Sequence, residues 1–346
     1  MPVFESPSLP LLVTGVAGVP GYNALDYFQR LYPGQVIGLR RVNNWPLSGE
    51  GIVGCDIHDK AAVQRLFDQY QFQSVLHCEG TCKLKACQLD PALARRVNVE
   101  GVSSLLKAIG DDQVRLVHLS IDLVFSGNRD GGYSEQETPD PVTVYGQTMV
   151  EGERLIAGQR PDACVLRISL PMGVSFNGHA GAVDWIQSRF KKHKPATLYF
   201  DEIRSPTYTD CLNRLCHHLL TDDLSGLSGL YHAGGPRRLS LYEIAQVVNR
   251  VGGYDPDCLV GCPRIEAGPL PPRAGNVALD SSLLIDQLGY TPFDPWPLDE
   301  KLVPTNRRWH YDRPASEQHS AEELARVLYR NPRWVSIEAA QPSLLR

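Results

Sequence analysis

The stretch LLVTGVAGVPGYNALDYF, residues 11–28, decides the fold of this 346-residue chain. It begins with an apolar run typical of a buried strand. Glycines then follow at intervals of three, at Gly15, Gly18 and Gly21, before an apolar segment with helical spacing. The sequence therefore predicts a strand, a tight glycine turn and the start of a helix. In such a unit the first glycine permits the turn, the second lets a pyrophosphate approach the backbone, and the third lets helix and strand pack closely.

The next predicted strand lies within GQVIGLRR, residues 34–41, and ends in Arg40 and Arg41. A Rossmann half that prefers NAD has an acid about 20 residues beyond the glycines, where it binds the ribose 2′-hydroxyl, whereas arginine suits a 2′-phosphate. The two arginines therefore favour NADP(H) over NAD(H) as the cofactor. The alternative is that they only begin a solvated loop, because arginine is mostly exposed in proteins.

Strand and helix patterns then alternate along the chain. Residues 52–59 and 74–80 predict the third and fourth strands, each followed by a helical pattern, and VRLVHLS, residues 114–120, predicts the fifth. This alternation is typical of the α/β class with a Rossmann-type, doubly wound parallel sheet. Ligands of such sheets lie beyond the carboxyl ends of the strands.

The segment SIDLVFSGNRDGGYSEQETPDPVTVYGQTMVEGE, residues 120–153, follows the fifth strand. It resembles the dTDP-4-dehydrorhamnose reductase family of the extended short-chain dehydrogenase/reductases, whose pattern is approximately STDYVFDG, a Y-x-E turn and then YGxxKxxGE. Two later segments also match the family, DEIRSPTYTD at residues 201–210 and PRAGNVALD at residues 272–280. Several matching segments in the right order imply the fold of that family.

The resemblance implies a division of the chain into three parts. The NADP-binding Rossmann domain would consist of residues 1–169 and about 205–235. A smaller C-terminal substrate-binding lobe would consist of about 170–204 and 236–302, and residues 303–346 would form an extension beyond the family.

The same resemblance implies roles for individual residues. Asp56 and Ile57 match the Asp-hydrophobe pair that meets the adenine, and they join the three glycines and two arginines as cofactor-binding residues. Asn98 matches an asparagine that supports the active site, and Tyr145 matches the tyrosine that gives a proton to the carbonyl oxygen of the substrate. No residue pattern indicates a metal site.

Two departures from the family lie where the chemistry takes place. Its catalytic threonine is Ile121 here, and the lysine four residues after the tyrosine is Met149. Because residues i and i+4 share a helix face, that lysine lowers the pKa of the phenol and also binds the nicotinamide ribose, and methionine does neither. A free tyrosine titrates near ~10, so we expect Tyr145 to be a usable acid and a poor base. Leu170 also replaces a family tryptophan.

Three hydroxyls lie near the missing threonine in sequence, on Ser120, Ser126 and Thr148. None is at the matching position, and we select Ser120 as the candidate that joins Tyr145 and Asn98 in the catalytic site.

These residues leave two main functions open. The first is an NADP(H)-dependent reductase of a 4-keto nucleotide sugar or a similar carbonyl, slowed by the incomplete triad. The second is a protein that binds the cofactor without catalysis, similar to the regulatory β subunit of methionine adenosyltransferase, which shares this fold. A distinct reaction, such as epimerisation or dehydration, is the remaining alternative.

Composition excludes several other classes. The net charge is −5 and there is no basic run, so neither nucleic acid nor an anionic membrane is expected as a partner. No apolar stretch approaches the ~20 residues of a membrane span, and the first residues lack the features of a signal peptide, so we expect a cytoplasmic protein. The nine irregularly spaced cysteines predict buried thiols rather than a disulfide framework.

The extension predicts one helix, with Ser320 as its N-cap and Glu323 completing a capping box. Its arginine and tryptophan content suits an interface with a second copy of the chain or with another protein. Packing on its own domain is the alternative.

Overall fold

The computed structural model of the protein describes residues 6–81, 83–221, 226–314 and 319–329. The strands, in chain order, are β1 (Leu11–Thr14), β2 (Val36–Arg40), β3 (Ile52–Gly54), β4 (Ser74–His77), β5 (Arg115–Ile121), β6 (Cys164–Ile168), β7 (Pro171–Met172), β8 (Ala196–Tyr199), β9 (Ile203–Arg204), β10 (Thr207–Tyr208), β11 (Gly229–Ala233), β12 (Leu239–Ser240) and β13 (Leu259–Cys262). The helices are α1 (Val19–Leu31), α2 (Lys60–Tyr70), α3 (Leu84–Leu89), α4 (Pro91–Arg95), α5 (Gly101–Ile109), α6 (Val144–Gln159), α7 (Ala182–Lys191), α8 (Thr209–Leu219), α9 (Leu241–Val251), α10 (Ser282–Leu288) and α11 (Ala321–Tyr329).

A seven-stranded sheet in the order β11-β6-β5-β4-β1-β2-β3 forms the centre of the fold. Every neighbouring pair in it is parallel. The chain runs outward from β1 to one edge through β2 and β3, and then to the other edge through β4, β5 and β6. This is the Rossmann-type, doubly wound order, and the predicted fold class is confirmed.

Helices cover both faces of this sheet, and alternate residues of β1 face the two cores. Leu11 and Val13 belong to the core that includes Phe28 of α1, whereas Leu12 belongs to the core that includes Val63 of α2. A strand buried on both faces is a continuous apolar run, as the sequence showed.

Strand β3 is shorter than the sequence pattern predicted. It ends at Gly54, and the chain then turns, with the amide of Asp59 donating to the carbonyl of Asp56 at 2.8 Å. Asp59 also accepts from the amide of Ala62 and so caps α2, because an aspartate at this position satisfies an amide that has no partner within the helix.

The smaller lobe contains short sheets and α9. Strands β8 and β13 pair in parallel, β9 and β12 pair antiparallel, and α7 and α9 pack together. Helix α9 begins with a capping box between Ser240 and Glu243. The domain limits expected from the sequence stay a prediction.

The described part of the extension packs on α9 of the same chain. Tyr242 donates to the carbonyl of Arg307 at 2.8 Å, and the guanidinium of Arg250 lies 4.1 Å from the ring centre of Trp309. Leu324 and Leu328 of α11 are buried. Ser320 accepts from the amide of Glu323, as predicted for the N-cap, whereas residues 330–346 lie outside the described residues.

The structure buries six of the eight cysteines that it describes, as predicted. Buried cysteines outside any disulfide bond of the described residues are Cys55, Cys87, Cys164, Cys211, Cys216 and Cys258, and Cys78 and Cys262 are partly exposed. Cys82 lies outside the described residues. Within the ranges described, no helix combines the length and apolar character needed to cross a bilayer.

Candidate functional site

The glycine turn has the geometry that its spacing predicts. Gly15 adopts φ +67, and a Cβ on it would lie 2.6 Å from the carbonyl oxygen of Cys78. A Cβ on Gly21 would collide with the backbone of Gly15. These two glycines are therefore required by the packing of β1, α1 and the residues after β4.

Gly18 differs from the other two glycines, because the packing of the fold does not require it. It is the N-cap of α1 with φ −86, and the nearest protein atom to a Cβ placed on it lies 3.4 Å away. The fold therefore tolerates a methyl group here, and the space that such a group would fill faces the N-terminus of a 13-residue helix. A helix N-terminus with free space beside its backbone fits the pyrophosphate of a dinucleotide.

Arg40 and Asp56 hold the loop that follows β2. The Nη1 of Arg40 donates to the carbonyls of Arg41 and Val42 at 3.0 and 3.1 Å, and Asp56 accepts from the amide of Val42 at 3.1 Å. The Nε of Arg40 is buried and has no hydrogen-bond partner among the described residues. Ile57 is buried against Gly101 of α5. This cluster fits the adenosine end of a dinucleotide and leaves Arg40 a donor for an anion.

Arg41 has a partner that the sequence did not reveal. Its Nε donates to Oε1 of Glu79 at 2.9 Å, and the Glu79 side chain is only 7% exposed. Burial raises the pKa of Glu79, and the charge of Arg41 acts against that rise. The signal that could have revealed this pair is positional, because Arg41 and Glu79 follow the two strands that flank β1.

Tyr145 lies in the first turn of α6, where the side chain of Thr143 caps the helix. It is buried in an apolar cluster that also contains Met149, with Ile121 packed against it. Gly146 allows α6 to pack against the backbone of Leu123, because a Cβ there would collide with it. The structure thus brings the predicted tyrosine together with the two departures in one hydrophobic cluster.

Asn98 lies in a π-helical turn, Arg96–Glu100, between α4 and α5. Its side-chain oxygen accepts from the amide of Thr81 at 2.8 Å, and its nitrogen donates to the hydroxyl of Thr148 at 2.9 Å. π-helical turns inside α-helices are frequent at functional sites. Asn98 lies in an unbroken helical run from α4 to α5, and its side chain links the residues after β4 to α6.

Ser120 lies in a separate buried network. Its hydroxyl donates to Glu153 of α6, which forms a two-point ion pair with Arg167 of β6 at 2.9 and 2.7 Å. The Ser120 side chain therefore joins β5, α6 and β6 on the face of the sheet that α6 covers. The Ser120 hydroxyl is thus engaged by Glu153, and its catalytic role stays a prediction.

A buried polar group at the end of β5 connects the two lobes. Asp122 accepts from the hydroxyl of Ser169 at 2.7 Å. The Nε of Arg204 in β9 lies 3.8 Å from Oδ2 of the same carboxylate. The guanidinium of Arg204 also donates to Glu202 at 2.9 Å. Burial raises the pKa of Asp122, although Arg204 opposes that rise. Asp122 lies in the segment 120–153 that resembles the family, and the sequence could not reveal its partners, because they come from distant segments.

The sheet order, the glycine turn and a tyrosine helix after the fifth strand define an extended short-chain dehydrogenase/reductase. Residues 10–300 match the family model described as the RmlD substrate binding domain, and the chain belongs to that family.

Two relatives show what this chain is similar to. It is 26% identical over 289 residues to methionine adenosyltransferase 2 subunit beta of Danio rerio, a match that covers 81% of this chain and 85% of that protein. It is 25% identical over 291 residues to dTDP-4-keto-6-deoxy-D-glucose reductase of Streptomyces niveus, covering 82% of this chain and 93% of that one. The predicted resemblance is therefore confirmed.

A solved structure agrees in fold. The crystal structure of dTDP-4-dehydrorhamnose reductase from Bacillus anthracis in complex with NADP superposes with a TM-score of 0.70 at 22% identity. The superposition covers 83% of this chain and 95% of that one.

Proposed function

We propose that this protein binds NADP(H) and slowly reduces a 4-keto nucleotide sugar, with Tyr145 as the acid. The observation that supports this most directly is the open space beside Gly18. A glycine that the fold itself does not need, at the N-terminus of α1, is explained by a ligand that must approach the backbone. The solved structure named above, which is a complex with NADP, favours the same cofactor class.

The residues that would hold the cofactor lie at the carboxyl edge of β1, β2 and β3. Gly15 and Gly18 would border the pyrophosphate, and Arg40 would face the 2′-phosphate with its unpaired Nε. Asp56 and Ile57 would border the adenine. Bound in this way, NADPH would supply the hydride.

The protein would supply the proton. Tyr145 would donate its phenolic proton to the carbonyl oxygen, and Asn98 would position α6 through Thr148. Ile121 and Met149 supply neither the hydroxyl nor the positive charge that the threonine and the lysine of the family supply. Positioned acid–base groups contribute about 10²- to 10⁴-fold, and one oxyanion donor about 10²- to 10³-fold, so we expect turnover several powers of ten below that of a complete site.

A second candidate is binding without catalysis. The observation that favours it is the apolar cluster around Tyr145, where Ile121 and Met149 replace both polar partners. The relative named methionine adenosyltransferase 2 subunit beta supports this alternative.

The two candidates are separated by NADPH consumption. Purified protein should bind NADPH in a titration and then oxidise it when a 4-keto nucleotide sugar is added. Binding with no oxidation over many hours would favour the second candidate, and no binding of either nicotinamide cofactor would contradict both.

A further inference from the structure

The Arg41–Glu79 ion pair spans the end of β1. Thr14, the last residue of β1, is aligned with Leu39 of β2 and with His77 of β4. Arg41 and Glu79 each lie two residues further along, so they approach each other from the two strands that flank β1. Their side chains meet at 2.9 Å beside the glycine turn, where a doubly wound sheet binds its ligand.

Glu79 is fixed in this position by the backbone around it. Its amide and that of Cys78 both donate to the hydroxyl of Thr14 at 3.1 Å. A Cβ on Gly15 would lie 2.7 Å from the Cα of Glu79, which shows how closely the turn and this residue pack. The backbone of Glu79 is therefore held beside the glycine turn.

The pair changes the charge that a dinucleotide meets. Arg41 would add one positive charge at the 2′-phosphate, but Glu79 cancels that charge within hydrogen-bond distance. A phosphate dianion would have to compete with Glu79 for the same guanidinium. A ribose 2′-hydroxyl, which is neutral, would not meet this competition.

We propose that Glu79 is a specificity-determining residue of the dinucleotide site, where it engages Arg41 and reduces the advantage of NADP(H) over NAD(H). This proposal rests on the proposed cofactor site. Arg40 remains the source of the preference for the 2′-phosphate, and Glu79 limits how strong that preference is.

The test is a set of binding titrations with the full chain, using NADPH and NADH as the two ligands. The Glu79→Gln variant keeps the shape of the side chain and removes its charge. Its affinity for NADPH should rise by roughly tenfold relative to its affinity for NADH, because a hydrogen bond to a charged group contributes about that much to binding. Glu322→Gln is the matched control, since it removes an acid of α11 that is also paired with an arginine. Its ratio of NADPH affinity to NADH affinity should equal that of the wild type.

A double variant tests the proposal even if the single one does not fold. Glu79→Gln with Arg41→Gln keeps both side chains able to hydrogen bond and preserves the net charge of the pair. Its NADPH-to-NADH ratio should stay within about threefold of the wild type, because removing a neutral pair leaves the local charge unchanged. A tenfold loss of NADPH preference in the double variant would show that Arg41 binds the phosphate despite Glu79 and would overturn the proposal.

The titrations also separate failure of this inference from failure of the proposed function. If the wild type binds both cofactors and Glu79→Gln leaves the ratio unchanged, the role of Glu79 is wrong and the proposed function stands. If the wild type binds neither cofactor, the proposed function and this inference both fail.

Discussion

The side-chain nitrogen of Asn98 donates to the hydroxyl of Thr148 at 2.9 Å, and this bond fastens the helix that contains Tyr145 to the residues after β4. Thr148 in turn donates to the carbonyl of Tyr145 at 2.9 Å. Because the oxygen of Asn98 also accepts from Thr81, its amide is engaged at both ends. Asn98 is thus suited to position the tyrosine, and not to contact a substrate.

Replacing Asn98 should therefore affect stability as well as the site. Asn98→Ala leaves the buried amide of Thr81 without its acceptor, so we expect the free energy of unfolding to fall by about 1–3 kcal/mol. Thr148→Val removes the other end of the bond. The free energies of unfolding of the wild type, the two single variants and the double variant, measured in urea, form a double-mutant cycle that should show coupling between the two residues. If the two losses of free energy were strictly additive, the hydrogen bond would contribute nothing.

The glycine turn offers a matched pair of variants. Gly18→Ala should leave the unfolding free energy nearly unchanged but weaken dinucleotide binding at least about tenfold, because the methyl group fills the space beside the helix N-terminus. Gly21→Ala should instead destabilise the fold, since its Cβ collides with Gly15. If a titration gave Gly18→Ala and the wild type equal affinity for NADPH, pyrophosphate binding beside Gly18 would be ruled out.

Arg40 should set the choice between the two cofactors. Arg40→Gln should weaken NADPH by about tenfold and change NADH by no more than about twofold, because only NADPH has the 2′-phosphate. Arg30→Gln, which removes an arginine from the far end of α1, is the control. Parallel losses for both cofactors would show that Arg40 only supports the loop after β2.

The extension should behave as part of its own fold. Leu328 of α11 is fully buried, so Leu328→Ala should lower the unfolding free energy by about 2–5 kcal/mol. Leu89, which is 65% exposed, provides the control, and Leu89→Ala should cost less than about 0.5 kcal/mol. A variant at Leu328 that keeps its stability but changes its mass in light scattering would instead favour the interface interpretation.

Much of the fold follows from local sequence patterns. The apolar run before Gly15 predicts β1, and the spacing of the glycines predicts the turn and the start of α1, because both depend on neighbouring residues. The Arg41–Glu79 pair could not be predicted in this way, since it exists only once β2 and β4 lie on either side of β1. The π-helical turn at Asn98 was missed because the apolar spacing around it is that of an ordinary helix.

The side chain of Ser120 shows a second limit. Its neighbour Ile121 occupies the place of the catalytic threonine, yet Ser120 faces Glu153 and Arg167 on α6 and β6. Glu153 lies 33 residues further along the chain, so sequence proximity could not reveal this partner, and the catalytic role of Ser120 stays a prediction.

The most direct test of the proposed reaction is single-turnover oxidation of bound NADPH by a 4-keto nucleotide sugar, compared among three proteins. The wild type should react slowly, and Ile121→Thr with Met149→Lys should react at least about tenfold faster, because the two groups restore the second donor and the cation. Tyr145→Phe, which loses only a hydroxyl, should show no oxidation. If Tyr145→Phe oxidises NADPH at the wild-type rate, Tyr145 is not the acid and the proposed reaction at this site is contradicted.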